Sequence, residues 1–340
     1  MYAEEKKIVR EYLKSIESST KENIDDILKC YFDTKNYNFK GIYPHRELHS
    51  VEEVAKSFWK PLLSSFTKLH RREDIFFAGE NTVNGKNNEG VWVLSMGYFV
   101  GLFDREFMGI RPTGKIAHLR YAEFSKVKKG KIVKTGLFVD YIALMEESGV
   151  YPLPPSTGHT FVYPGPIEHN GILLNESDPN EGIKTMKLVN EMVEDLTKLT
   201  EKDSMTCPPE ILEKTWSEDM VWYGPGGIGA SFTIPRYQLQ HQLPFRSNLK
   251  DKTFNGHIAR FAEGNFAAFF GWPNLTNVPT GGFLGLPGGN VKADMFVCDI
   301  YSRVGDKLME NWVIIDIPYW LKQQGLDIFK RCEEIYNPKY

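Results

Sequence analysis

The chain has 340 residues, of which 41% are hydrophobic and 25% charged, with a formal net charge of -3. This length predicts two domains, and the mixed charge excludes the basic surface that nucleic acids and anionic membranes require. No apolar run reaches the roughly 18 residues of a membrane helix, and the four cysteines are far apart, as is typical of reduced thiols. We therefore expect a cytoplasmic protein that binds a small molecule, with no nucleic acid or membrane as partner.

The first half of the chain predicts helices followed by strands. A charged amphipathic helix begins near Ala3 in place of a signal peptide, because the segment has no continuous apolar stretch or cleavage site. A second helix follows Thr20, and Ser50 with Glu53 forms a capping box at the start of a third. Strands are then predicted over REDIFFAGE, EGVWVLSMGYFVGLF, KIAHLRYAEFSKVKKG and KIVKTGLFVDYI. This order is typical of an α+β domain.

A stretch rich in proline and glycine, VYPLPPSTGHTFVYPGPIEHNG, then interrupts the pattern. We interpret residues 151–175 as a linker between a first domain over 1–150 and a second over 176–335. The second domain again starts with helices, beginning with NEGIKTMKLVNEMVEDLTKLT. Its strands are predicted over NGHIARFAEGN, FAAFFGWP, VKADMFVCDIYSRVG and DKLMENWVIID.

The two halves are copies of one domain. GKIVKTGLFVDYIALMEESGV lines up with DKLMENWVIIDIPYWLKQQGL, which places Asp140 on Asp316 at an offset of 176 residues (316 minus 140). Glu123 falls on Asp299 at the same offset. A fixed spacing between similar segments is the signature of tandem repeats.

The closing strand GDKLMENWVIIDIPYWLKQQG, with three residues between Trp312 and Asp316, and the turn TGGFLGLPGG carry a resemblance. The chain resembles, once per copy, the SnoaL-like polyketide cyclases of the nuclear transport factor two-like superfamily. The resemblance implies tandem cone-shaped α+β domains, in which N-terminal helices pack on a curved antiparallel sheet and leave a pocket between them. It also implies proton transfer in an aldol ring closure without metal or organic cofactor. Such domains commonly pair through their sheets, which leaves a homodimer and an intrachain pseudo-dimer open.

The resemblance places catalysis on the inward face of the last strand. Alternation of side chains puts Trp312, Ile314 and Asp316 on that face. A carboxylate there is poorly solvated, so we expect its pKa to be raised toward neutrality, which suits a general acid/base. The role falls on Asp316, and in the first copy on Asp140, where Gly136 replaces the tryptophan. The alternative is that this aspartate caps the helix that follows.

Two histidines of the second copy are candidates for assisting groups. Tyr237, His241 and Phe245 stand four residues apart, which puts them on one helix face, and the aromatic neighbours make that face an inward one. In the strand HIARF, alternation allows only one of His257 and Arg260 to face a pocket. We predict that His241 and His257 act in catalysis, with core packing as the alternative for both.

The second copy also carries the aromatic and amide groups that a selective small-molecule pocket needs. The candidate binding residues are Trp222, Tyr223, Tyr237, Arg260, Trp272, Asn274 and Trp312. The first copy has only Trp59 and Trp92. We therefore expect the functional pocket in the second copy, although each of these side chains could equally pack a core.

Other motifs do not support a metal or nucleotide site. His45, Glu47 and His49 would share a strand face, but they lead directly into a capped helix and have no equivalent in the second copy. The glycine runs GPGGIG and TGGFLGLPGG lack the lysine and the hydroxyl residue of a phosphate-binding loop. We predict no metal and no cofactor. The favoured function is an acid/base enzyme acting on a carbonyl-containing small molecule. A non-catalytic binding protein, or a hydrolase or dehydratase on the same scaffold, are the alternatives.

Overall fold

The computed structural model describes residues 1–83 and 89–338 and contains two compact units. Unit 1 consists of Met1–Pro152, Ile167–Glu176 and the C-terminal segment from Asp327; unit 2 consists of Leu153–Pro166 and Ser177–Leu326. The stretch interpreted as a linker is thus divided between the units. The last helix belongs to unit 1, whereas the predicted second domain extended to residue 335.

The helices begin each unit and reappear after its last long strand. In chain order they are α1 (Ala3–Glu17), α2 (Ile24–Tyr31), α3 (Val51–Val54), α4 (Lys60–Ser65), α5 (Tyr141–Glu147), α6 (Pro179–Glu201), α7 (Pro209–Glu213), α8 (Ile234–Tyr237), α9 (Leu243–Asn248), α10 (Ile317–Gln323) and α11 (Ile328–Tyr336). A π-helical segment joins α3 to α4 at Ala55–Trp59, and another joins α8 to α9 at Gln238–Gln242.

The strands form the sheets on which these helices pack. They are β1 (Asn38–Gly41), β2 (Arg46–Leu48), β3 (Phe66–Glu80), β4 (Val91–Phe103), β5 (Lys115–Lys128), β6 (Lys131–Val139), β7 (Trp216–Tyr223), β8 (Ala230–Phe232), β9 (Lys250–Phe254), β10 (Ala259–Glu263), β11 (Phe266–Phe270), β12 (Leu275–Val278), β13 (Ala293–Met295), β14 (Val297–Val304) and β15 (Lys307–Ile315).

Unit 1 has a sheet in the order β2-β1-β6-β5-β4-β3. All neighbours in it are antiparallel except β1 and β6, which run parallel. Register shifts in the β3–β4 pair curve the sheet, because each irregularity increases the local bend and twist. The apolar side of α1, with Val9, Tyr12, Leu13 and Ile16, is buried in this unit. The predicted α+β class is confirmed.

Unit 2 repeats this plan with a sheet in the order β10-β11-β14-β15-β7-β8 and a smaller sheet, β13-β12-β9. Here β15 and β7 form the parallel pair. The offset of 176 residues also relates the paired residues of the two sheets. Glu123 is paired with Leu137 in unit 1, and Asp299 is paired with Val313 in unit 2. The tandem arrangement predicted from the sequence is confirmed by this correspondence.

Local signals also appear as expected. The hydroxyl of Ser50 accepts a hydrogen bond from the backbone N–H of Glu53 at 3.1 Å, and the Glu53 carboxylate accepts one from the N–H of His49 at 2.8 Å. The two side chains therefore satisfy N–H groups at the start of α3. Within residues 1–83 and 89–338, no helix combines the length and the apolar character needed to span a bilayer.

Candidate functional site

Unit 2 contains a cavity of about 550 Å³ between its helices and its sheets. This volume lies in the range of small-molecule sites. The helical wall comes from α6, the second π-helical segment and α9, and the opposite wall comes from β14 and β15. Most lining side chains are aromatic or aliphatic. The ionisable ones are Glu201, Tyr237, His241, Arg246, Lys252, His257, Asp299 and Tyr301.

The carboxyl group on the sheet wall belongs to Asp299 in β14. Its Oδ1 accepts a hydrogen bond from the hydroxyl of Tyr301 at 3.1 Å and a long one from the amide of Asn311 at 3.4 Å. Burial raises the pKa of Asp299 to about 7, although these two hydrogen bonds oppose the shift. Part of the residue's surface stays accessible, and Asp299 lines the cavity. A carboxyl group in this state exchanges a proton readily at neutral pH.

A chain of hydrogen bonds crosses the helical wall. The Arg246 Nε donates to Gln242 Oε1 at 2.9 Å, and the Gln242 amide donates to the hydroxyl of Tyr237 at 2.7 Å. Burial raises the pKa of Tyr237 above its ordinary value, so its phenol keeps its proton. This proton has no acceptor within the part of the chain that the structure describes. Tyr237 can therefore donate a hydrogen bond to a bound molecule.

Both predicted histidines line the cavity. His241 stacks on Trp222 with ring centroids 4.0 Å apart, and His257 stacks on Phe269 at 4.2 Å. Burial lowers the pKa of each to about 3, with a further contribution from Arg246 for His241 and from Arg260 for His257. Both imidazoles are neutral at pH 7, so they contribute hydrogen bonds and stacking surface rather than charge.

The predicted facing of the last strand needs correction. Asn311, Val313 and Ile315 of β15 line the cavity, which is the face opposite to that of Trp312. The strand ends at Ile315, and the fully buried Asp316 caps α10 by accepting a hydrogen bond from the N–H of Tyr319 at 3.1 Å. Asp316 is not among the residues that line the cavity, so the geometry agrees with the helix-cap alternative.

Asp140 has the same place in unit 1. It caps α5 by accepting a hydrogen bond from the N–H of Ala143 at 3.1 Å, and it forms an ion pair with Arg120 at 3.1 Å. The repeated aspartate is therefore a helix cap in both units. Asp316 does not line the cavity of unit 2, so it lacks the position that the catalytic role assigned from the resemblance requires.

The other predicted binding residues divide into two groups. Trp222, Tyr237 and Asn274 line the cavity, and Asn274 also accepts hydrogen bonds from the N–H groups of Gly271 and Val297 at 3.0 and 2.8 Å. Four others do not line it. Tyr223 stacks on Trp312, whose indole N–H donates to the Pro164 carbonyl. Trp272 packs on Phe296, and Arg260 lies over the ring of Phe269.

Of this predicted pair, His257 lines the cavity and Arg260 does not, and His257 lies just before β10 rather than within it. Asp299, Tyr301 and Arg246 were not among the site residues predicted from the sequence. A signal for Asp299 was present, because alternation in VCDIYSRV places it on the same face as Tyr301, and the repeat aligns it with Glu123. Arg246 stands four residues after Gln242, on one helix face.

No family model and no curated protein matches the chain. Similar solved structures include a candidate SnoaL-like polyketide cyclase from Shewanella denitrificans OS-217 (16% identity, 44% of this chain and 98% of that chain, TM-score 0.35). They also include one from Jannaschia sp. CCS1 (18%, 38% and 80%, TM-score 0.28) and a nuclear transport factor two-like protein from Burkholderia xenovorans LB400 (13%, 42% and 96%, TM-score 0.33). At such low identity and TM-score, these similarities carry no argument about chemistry.

Proposed function

We propose that unit 2 catalyses proton transfer on a carbonyl-containing small molecule, with Asp299 as the general acid/base and without metal or organic cofactor. The observation that carries the proposal is a carboxyl group on the cavity wall with a pKa raised to about 7. Both its protonated and its ionised forms are populated at neutral pH. Such a group can remove a proton from the carbon next to a carbonyl and return it elsewhere.

Neighbouring side chains have supporting roles in this proposal. The Tyr301 hydroxyl and the Asn311 amide hold the Asp299 carboxylate by hydrogen bonds, which fixes its orientation. The Tyr237 hydroxyl interacts electrostatically with Asp299 and has a proton to donate. It would stabilise the negative charge that develops on the carbonyl oxygen when the neighbouring proton leaves. The aromatic walls would hold the body of the substrate and exclude water.

An exchange experiment tests the proposal without knowledge of the natural substrate. A panel of aryl and cyclic ketones would be incubated with the full chain in deuterated buffer, and loss of α-protons followed by proton NMR. We expect catalysed exchange for some members, and about a 100-fold loss in Asp299→Asn, the lower end of general acid/base contributions. An exchange rate in Asp299→Asn equal to that of the wild type would overturn the assignment.

Two variants serve as controls for this experiment. Asp316→Asn keeps a good helix cap and should keep the exchange rate, whereas the role first assigned to Asp316 requires a loss. The double variant Arg71→Met/Glu123→Gln removes the equivalent carboxyl of unit 1 together with its cation and should also leave exchange intact. In the wild type, with Asp299 as the base, the rate should rise with pH up to about 7 and then level off. His241 and His257, with a pKa of about 3, add no further step near neutrality.

A further inference from the structure

Arg246 in α9 is a buried cation on the cavity wall without an acidic partner. Only 2% of its surface is exposed. Its Nε donates to Gln242, and its Nη2 makes a long hydrogen bond of 3.4 Å to the Leu196 carbonyl. Its Nη1 makes no hydrogen bond, and no carboxylate lies within salt-bridge distance among the residues that the structure describes. A guanidinium stays protonated in proteins, so this charge is left uncompensated.

Lys252 of β9 adds a second cation to the same cavity. Its ammonium group donates to the backbone carbonyls of Arg246, at 3.3 Å, and of Leu249. The ammonium also lies 5.9 Å from the ring centre of Phe245. In the described part of the chain it has no carboxylate partner, and Asp203 nearby is held by Lys250 at 3.1 Å.

No other group near Arg246 supplies a negative charge at neutral pH. The side chains that could bring a negative charge to it, and that interact with it electrostatically, are Cys207 and Tyr237. Burial raises the pKa of both, so thiol and phenol stay neutral. The acids on the cavity wall are Asp299, on the sheet side, and Glu201, which is exposed. The cations of Arg246 and Lys252 therefore lie close together on the cavity wall, and the acid on the helical side, Glu201 of α6, is exposed to solvent.

An uncompensated buried charge costs several kcal/mol, and a bound anion would remove that cost. A guanidinium with unused N–H groups matches the two oxygens of a carboxylate, and the resulting hydrogen bonds are charge-assisted. We propose that the cavity binds an organic carboxylate, held by Arg246 and Lys252, with an aromatic or aliphatic body between Trp222 and Phe269. Asp299 stands on the opposite wall, away from the bound negative charge. The identity of the substrate rests on the proposed function: if that function is correct, the substrate is a carbonyl compound that also carries a carboxylate.

Binding of a matched pair of probes tests this inference. 2-Naphthoate and 2-naphthamide have nearly the same shape and aromatic surface and differ in charge. Titration calorimetry on the full chain should show the carboxylate binding at least about tenfold more tightly, because hydrogen bonds to a charged group are stronger than those to a neutral amide. Arg246→Met should abolish the preference, Lys252→Met should reduce it, and Arg246→Lys should retain part of it.

The outcomes separate this inference from the proposed chemistry. Equal affinity of the wild type for the two probes overturns it, and so does binding of neither at millimolar concentration. A preference for 2-naphthoate that survives in both Arg246→Met and Lys252→Met also overturns the inference. Asp299→Asn should retain the preference for 2-naphthoate while losing proton exchange. If exchange is never detected but the preference is present, the anion site stands and the proposed function fails. Circular dichroism on each variant checks that it is folded.

Discussion

The two units carry a carboxylate at the same position of the same strand but surround it differently. In unit 1, Glu123 is buried, forms an ion pair with Arg71 at 2.6 Å and accepts a hydrogen bond from the Tyr12 hydroxyl at 2.9 Å. The Arg71 guanidinium also lies 4.6 Å from the ring centre of Tyr121 and 4.7 Å from that of Phe99. This carboxylate therefore has a cation beside it, and aromatic rings cover that cation.

In unit 2, Asp299 has neutral hydrogen-bond partners only, and the space beside it is a cavity. The same scaffold thus gives a structural ion pair in one copy and a titrating carboxyl group in the other. What separates them is whether a side chain brings a positive charge to the carboxylate. The guanidinium that lines the cavity of unit 2, that of Arg246, makes its hydrogen bonds to Gln242 and to the Leu196 carbonyl instead.

The ion pair of unit 1 gives the largest expected effect. Arg71→Met removes the cation and leaves Glu123 buried with the Tyr12 hydroxyl as its hydrogen-bond partner. Removing one member of a buried ion pair destabilises a protein by about 3–5 kcal/mol, because the other charge stays out of water. We expect a loss of this size in the free energy of unfolding of unit 1, measured by urea denaturation of the full chain.

The matched control is the double variant Arg71→Met/Glu123→Gln, in which no charge is left. It should recover most of the lost stability, because replacing both partners of a buried pair is often nearly neutral. A single variant as stable as the wild type would mean that the ion pair contributes little to unit 1.

The titrating carboxyl of unit 2 predicts the opposite behaviour. Because the pKa of Asp299 is raised from 3.8 to about 7, the folded state binds this proton more tightly than the unfolded state. Asp299 therefore lowers the free energy of unfolding as pH rises between about 4 and 7, by at most about 4 kcal/mol. Asp299→Asn should be more stable than the wild type above this range and similar to it below. Thermal and urea denaturation across pH would measure the difference.

Glu123→Gln sharpens the contrast, since it removes the partner of Arg71 and should destabilise the chain at pH 8. If Asp299→Asn behaved in the same way at that pH, the distinction between a structural and a titrating carboxylate would fail.

Much of the fold could be predicted because the repeat is visible in the sequence. The offset of 176 residues places two aspartates at the same helix starts and two acids at the same strand register. Helix caps and turns are local signals, so Ser50 and Glu53 could be recognised from spacing alone. The parallel pairing of β1 with β6 could not, because it joins segments almost 100 residues apart.

The site was harder to predict, for a physical reason seen in β15. All residues from Glu310 to Ile315 are buried, so both faces of this part of the strand are covered. Alternation separates two faces, but it identifies the cavity face only where the other face is polar. The tryptophan at 312 favoured the wrong face. Arg246 could not be recognised from the sequence either. What distinguishes it is that no carboxylate among the described residues lies near it in the folded structure.

The helix cap formed by Asp316 gives the smallest expected effect. Asp316→Ala removes the acceptor for the Tyr319 N–H and should lower the free energy of unfolding by about 1 kcal/mol, whereas Asp316→Asn should change it little. In unit 1, Asp140→Asn keeps the cap but removes the negative partner of Arg120, where unit 2 has Phe296 at the equivalent place. Urea denaturation should therefore show a larger loss for Asp140→Asn than for Asp316→Asn. Equal losses would mean that the Arg120 ion pair adds nothing to the cap.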